Sequence, residues 1–166
     1  LNNLSGELGL GYNKISDITA LSNLTNLTAL HLSRNQLSNE DMPFLSKLTH
    51  LTILYLNGNN ISDISPLSDL TGLKEFHLYE NPQNKLIDIS TLSNFPNLTW
   101  LRLASNEIID ISPVSNLTKL TSLNLKGNEI NDISALGSLN QLKDLQLQNN
   151  QIDWRCCIQQ SQTVPS

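Results

Sequence analysis

Three side-chain sets in this sequence are of types that do chemistry, and each is tested first by spacing. The histidines are His31, His50 and His77, and a general base or a zinc ligand would be drawn from them. A zinc site needs three or four donors converging at about 2.0–2.3 Å, and no such set can be assembled from the spacing. No carboxylate or thiol stands at catalytic spacing from His31 or His77. No glycine-rich phosphate loop and no glycine-flanked serine elbow occurs. The second set is a recurring acid in the text Asp-Ile-Ser/Thr, at Asp17, Asp63, Asp88, Asp110 and Asp132. A column of carboxylates could hold a cation. The spacing is not that of a calcium loop, however, and Asp favours helix-cap and tight-turn positions by accepting nearby backbone N–H groups. The third set is the adjacent pair Cys156 and Cys157. A bond between neighbours is strained, so free thiols or bonds to other chains are expected. Neither catalysis nor a cofactor is expected.

The elements that position these residues follow from a repeat, which is sought before any local pattern. Asparagine recurs at Asn13, Asn35, Asn59, Asn81, Asn106, Asn128 and Asn150, at spacings of 22, 24, 22, 25, 22 and 22. Between them apolar residues keep matching offsets. One unit reads Asn106, Ile108, Ile111, Val114, Leu117, Leu120, Leu123 and Leu125. Six full units cover residues 13–149, after an incomplete first repeat over 1–12 and before a partial repeat, cap and tail over 150–166. The Leu-x-Leu pair is a short strand whose two leucines face inward and whose flanking residues face outward. One such strand cannot bury its apolar side alone, so successive strands stack into a parallel sheet over one core. The fold class expected is α/β: a curved solenoid with the sheet on its concave face and short 3₁₀ or helical turns on the convex face. The repeated asparagine sits where the chain leaves the strand. Its amide donates and accepts, so a column of them can satisfy turn backbone groups.

Two units break the period. The second replaces the Asp-Ile turn with Asn39-Glu40-Asp41-Met42-Pro43-Phe44, expected to start a short true helix. The fourth gains three residues near Pro82 to Lys85. Ser-Pro at Pro66 and Pro113 fits the first position of a helical turn. Trp154 is expected to lie over the exposed end of the core, and the tail after Ile158 to be disordered.

The wording "NLTNLTALHLSRNQLS" and "NNISDISPLSDLTGLKEFHL" resembles the 22-residue leucine-rich repeats of bacterial internalins. The regulatory subunits of protein phosphatase 1 carry the same repeat class. The resemblance covers residues 4 to 153 and implies a solenoid that binds a protein through its concave sheet. It leaves open a surface or secreted adhesion-type protein, an intracellular phosphatase-type scaffold, and a spacer without a ligand. A fold does not fix a function. The internalin-like wording favours the surface or secreted setting, although no cell-wall sorting motif is read in these residues. The chain begins with Leu1, as a processed protein or a fragment does. Its six Asn-x-Ser/Thr triplets arise from the repeat text and are not evidence of secretion.

The outward columns locate the contact surface. Ile53, Tyr55, His77, Tyr79, Trp100 and Arg102 fall in three consecutive strands, with His31 in the central column one strand away. Three of the eight Phe, Tyr and Trp residues land there. Tyr, Trp and Arg dominate binding energy at protein interfaces, and a standard interface needs roughly 800 Å² per partner. The expected partner is therefore a protein. The net charge of −5 argues against a nucleic acid, whose phosphates require clustered Lys and Arg. No apolar run approaches the roughly 18 residues of a membrane helix. Leu8 and Leu10 at the first repeat leave end-to-end self-association open.

Overall fold

The structure, a computed structural model, describes residues 4–81, 83 and 85–153. Seven strands form one sheet in chain order: β1 (Gly6–Gly9), β2 (Leu27–His31), β3 (Ile53–Tyr55), β4 (Glu75–His77), β5 (Trp100–Arg102), β6 (Ser122–Asn124) and β7 (Asp144–Gln146). Every neighbouring pair is parallel. From β2 onward equivalent residues pair without a shift, so that Leu30, Leu54, Phe76, Leu101, Leu123 and Leu145 form one row. The middle four strands are only three residues long because the chain leaves the sheet as soon as its inward pair is placed.

Return paths are short 3₁₀ turns: Thr19–Asn23, Ser65–Leu67, Ser90–Asn94, Ser112–Asn116 and Ser134–Ser138. The repeated Asp starts four of them from one residue farther out than an N-cap. Asp63, Asp88, Asp110 and Asp132 each accept the backbone N–H of the turn's first residue, at 2.7–2.8 Å. Asp17 does the same to Thr19 at 2.8 Å. The hydroxyl of Thr19, and after it the N–H, holds the Asp17 carboxyl below the usual carboxylate range. For Asp88 and Asp132 the N–H of Ser90 and of Ser134 is the larger cause. Pro66 and Pro113 occupy the second position of their turns, not the first. The second unit forms the expected helix, α1 (Met42–Leu45), after a 3₁₀ turn over Asn39–Asp41. Ser38 and Asp41 close a reciprocal capping box, which satisfies two otherwise orphaned donors.

The interior is nearly all leucine and isoleucine, fully buried from β2 to β6. At the last strand the column thins, and Leu145 is 41% exposed. One repeat swaps both leucines of a facing pair for phenylalanine. Phe76 on β4 and Phe95 on the return path meet edge-to-face, with ring centres 6.2 Å apart. That geometry is favoured by the ring quadrupoles.

The asparagine column is the hinge of each turn. The Asn59 amide donates to Leu32 O at 3.0 Å and Leu56 O at 2.8 Å, and its oxygen accepts the Leu37 N–H at 3.0 Å. Asn35, Asn106, Asn128 and Asn150 repeat this pattern. Each ties the turn above to the turn below. In the unit with three extra residues, Leu86 supplies the N–H that the next asparagine accepts. Asn81 departs from the pattern. It is fully buried, and among the described residues neither its amide nitrogen nor its oxygen has a hydrogen-bond partner.

The residue before each asparagine is left-handed in all seven turns: Tyr12, Arg34, Gly58, Glu80, Ser105, Gly127 and Asn149 have φ between 55° and 70°. Only Gly58 and Gly127 announce this in the sequence. Gly58 is also required by space. A Cβ there would lie 2.8 Å from Arg34 Cγ, and Arg34 passes over Gly58 to pair with Glu80 at 2.8 Å.

Two expectations follow. Asn106→Leu removes four hydrogen bonds and leaves Leu78 O and the Leu86 N–H without their partner, while Leu103 O keeps Asn128. It should cost at least about 2 kcal/mol more than Asn81→Leu, which removes none, as read from urea midpoints. Gly127→Val should cost about 1–2 kcal/mol from left-handed backbone strain alone, because its Cβ would meet only ordinary contacts at 3.6 Å. A cost-free Gly127→Val would refute the strain argument.

Candidate concave binding face

The in-register pairing converts the outward residues of each strand into straight columns. The column between the two leucines runs His31, Tyr55, His77, Arg102, Asn124 and Gln146, and the column before them runs Ala29, Ile53, Glu75, Trp100, Ser122 and Asp144. Strands stand about 4.8 Å apart, close to the distance at which rings pack. The rings therefore stack on one another across the sheet. His31 and Tyr55 lie 4.5 Å apart, tilted by 34°. Tyr55 and His77 are stacked 4.2 Å apart and nearly parallel, at 4°. Trp100 leans across its column onto His77, edge-on at 5.4 Å. Arg102 extends its guanidinium over the Trp100 ring, 4.6 Å from the ring centre, an attraction between cation and ring face. Tyr79 stands at the edge of the row, 6.3 Å from His77.

Six of the seven residues singled out by sequence (His31, Ile53, Tyr55, Tyr79, Trp100 and Arg102) are partly exposed on this face. His77 differs. It is 6% exposed, covered by Tyr55 on one side and Trp100 on the other. It is the centre pin of the row and leaves almost no surface for a partner. Column position alone reads every central residue as outward, but cannot show that two large neighbours close over the one between them.

Glu75, in the neighbouring column, is part of the assembly. The Tyr55 hydroxyl donates to Glu75 Oε2 at 2.6 Å. Burial, and then this bond, pushes the Tyr55 hydroxyl up to about 12. The signal was present in the sequence, since Tyr55 and Glu75 occupy adjacent columns on adjacent strands. On His77, burial is the larger cause and the Arg102 charge the next, and together they pull the ring down to about 4. The ring is neutral at pH 7. His31 Nε2 lies 3.7 Å from Glu7 Oε1.

The irregular segment of the second unit lies on the return path between β2 and β3. Asn39 accepts the N–H of Ser62 at 2.9 Å and of Asp63 at 3.1 Å, so that loop organises the next turn. Lys85 donates to Ser105 O at 3.1 Å. The expectations for Trp154, Cys156, Cys157 and the tail, and for Pro82 and Asn84, lie outside the described residues. Among the described residues no three of His, Cys, Asp or Glu could hold a metal, and no helix is long and apolar enough to cross a membrane.

With this geometry in place, the comparisons with known proteins decide the family. The profile described as Leucine Rich repeats (2 copies) matches residues 49–94 and 96–138, and the one described as Leucine Rich repeat matches residues 23–45. This chain belongs to the leucine-rich-repeat family. Its repeats resemble those of bacterial internalins. The structure of internalin C2 from Listeria monocytogenes is 32% identical, covers 89% of this chain and 73% of its own, and superposes with a TM-score of 0.70. The functional domain of InlJ from the same organism is 28% identical, over 91% of this chain and 31% of its own, with a TM-score of 0.78. A plant peptide hormone receptor, RGFR1, solved in complex with RGF2, shares the fold at 24% identity and a TM-score of 0.71, over 89% of this chain and 27% of its own. No curated protein matches the chain. Members of this fold are typically non-catalytic binding modules, and the chain is a protein-interaction module in that general sense.

The His77 shift has a testable sign. In the unfolded chain the ring takes up a proton near pH 6.5, and in the folded chain only near pH 4. Between these values the unfolded state binds more protons, so stability falls as pH falls, by on the order of 1–3 kcal/mol. Urea midpoints of the native chain and His77→Phe should diverge on going from about pH 7 to about pH 5. Parallel loss in both proteins would show that another group carries the effect.

Proposed function

We propose that this chain is a non-catalytic module that binds a protein partner through the stacked row on its concave face. The internalin-type resemblance supports a surface or secreted setting of adhesion type. The observation that carries the reading is the concentration of aromatic area on β3 to β5. Tyr55 and Trp100 are held rigid by His77, Glu75 and Arg102, yet each keeps part of its ring open. Rigid amphipathic rings lose little conformational entropy on binding, and they are the side chains on which interface energy concentrates. The next strand, β6, presents small polar groups, Ser122 and Asn124, which suit a rim. His31, Ile53, Tyr79 and Arg102 complete the contact set. His77 supports it from beneath.

The experiment is a pull-down with mass spectrometry, comparing the native chain with Tyr55→Ala/Trp100→Ala after circular dichroism has shown both folded. A partner recovered by the native chain and lost by the folded variant is the expected result, with at least about 2 kcal/mol of affinity lost per hot-spot residue. Equal recovery by both proteins would sink the concave-row reading and leave the solenoid as a spacer.

A further inference from the structure

The charges of the concave columns are unevenly engaged, although the chain as a whole carries −5. Two of the three carboxylates of these columns, Glu75 and Asp144, accept a hydroxyl within the face. Glu75 accepts the Tyr55 hydroxyl at 2.6 Å, Asp144 accepts the Ser122 hydroxyl at 3.1 Å, and Glu7 lies 3.7 Å from the His31 ring. The cations of the same columns are Arg102 and Lys126. Neither donates to a carboxylate or to any other acceptor among the described residues. Arg102 is instead laid over Trp100, which fixes the plane of its fork while leaving its N–H groups without acceptors. Lys126 is exposed one strand farther on, just after β6. The face therefore offers an open cationic edge beside its aromatic row, with Glu75 and Asp144 each hydrogen-bonded to a neighbour.

We propose that the partner is an acidic protein segment, which places a carboxylate on Arg102 and Lys126 while an adjoining aromatic or apolar side chain rests on Tyr55 and Trp100. This rests on the reading of the concave row as the binding surface. A guanidinium with a fixed plane matches a carboxylate through two parallel N–H donors. The like-charged alternative, a basic segment, would have to compete with Tyr55 for Glu75 and with Ser122 for Asp144. A phosphate backbone would need a longer cationic track than two residues.

The test pans a displayed library of random peptides against the immobilised full chain, then measures the enriched peptides against four proteins. These are the native chain, Arg102→Gln, Lys126→Gln, and Tyr55→Ala/Trp100→Ala, each first shown folded by circular dichroism. The expected result is enrichment of Asp or Glu next to Phe, Tyr or Trp. Arg102→Gln should weaken these peptides by about ten- to a hundredfold. Lys126→Gln, at an exposed position that cannot disturb the fold, should weaken them less, and the affinity should fall as salt is raised. Neutral or basic peptides that are lost with Tyr55→Ala/Trp100→Ala but indifferent to Arg102→Gln would overturn the acidic partner and leave the concave row standing. Peptides indifferent to every variant, or no enrichment over an unrelated protein, would overturn both. An oligothymidine that bound more tightly than any peptide and depended on Arg102 would overturn the protein partner in favour of a phosphate ligand.

Discussion

A solenoid of this kind depends on one repeated problem: how a chain leaves a parallel strand after three residues without stranding its backbone groups. The asparagine amide solves it by reaching both ways. It donates to the last strand carbonyl of its own turn and of the turn before, and accepts an N–H from the preceding return path. Asn59, Asn106 and Asn128 are buried among apolar neighbours, where an unmade hydrogen bond costs more than a made one gains. The left-handed residue just before it follows from the same requirement, since the backbone must reverse there to present the amide inward. Five of the seven left-handed positions are not glycine, so the column of bonds is strong enough to hold ordinary residues in a conformation they disfavour.

Once the turns are locked, strand register has no freedom, and the concave face inherits its order from that. Residues of equal offset must stand about 4.8 Å apart. Rings at equal offset must then stack, and this is why Tyr55 and His77 lie nearly parallel. The price of that order is surface. His77 disappears beneath its neighbours, and the row presents edges and partial faces in place of seven separate side chains. Rigidity gained in this way is what a preformed binding surface needs.

The electrostatics of the face follow from the same geometry. Cross-strand neighbours at adjacent columns are close enough to bond, so Glu75 is taken up by Tyr55, and Asp144 by Ser122. Arg102 has Asn124 beside it in its own column and Trp100 on its own strand. Neither offers a negative charge. A chain that is acidic overall thus keeps a locally cationic edge, because engagement and not composition decides which charges remain open to a partner.

Much of this was legible in the residues. The period of the asparagines, the Leu-x-Leu pairs and the recurring Asp-Ile determined the repeat architecture, the inward and outward columns, and the role of the acids as turn formers. They did so because each depends on local geometry repeated many times. Even the membership of the aromatic cluster could be read from column offsets. What the tertiary structure alone decided is how neighbouring columns interact. It buried His77, joined Glu75 to Tyr55, laid Arg102 over Trp100, and isolated Asn81 from the ladder that its spacing implied. These outcomes depend on side-chain directions across strands more than twenty residues apart in the chain. The offset of a residue within its repeat states which face it occupies, whereas its contacts are set by the rotamers and sizes of neighbours that only stacking brings together.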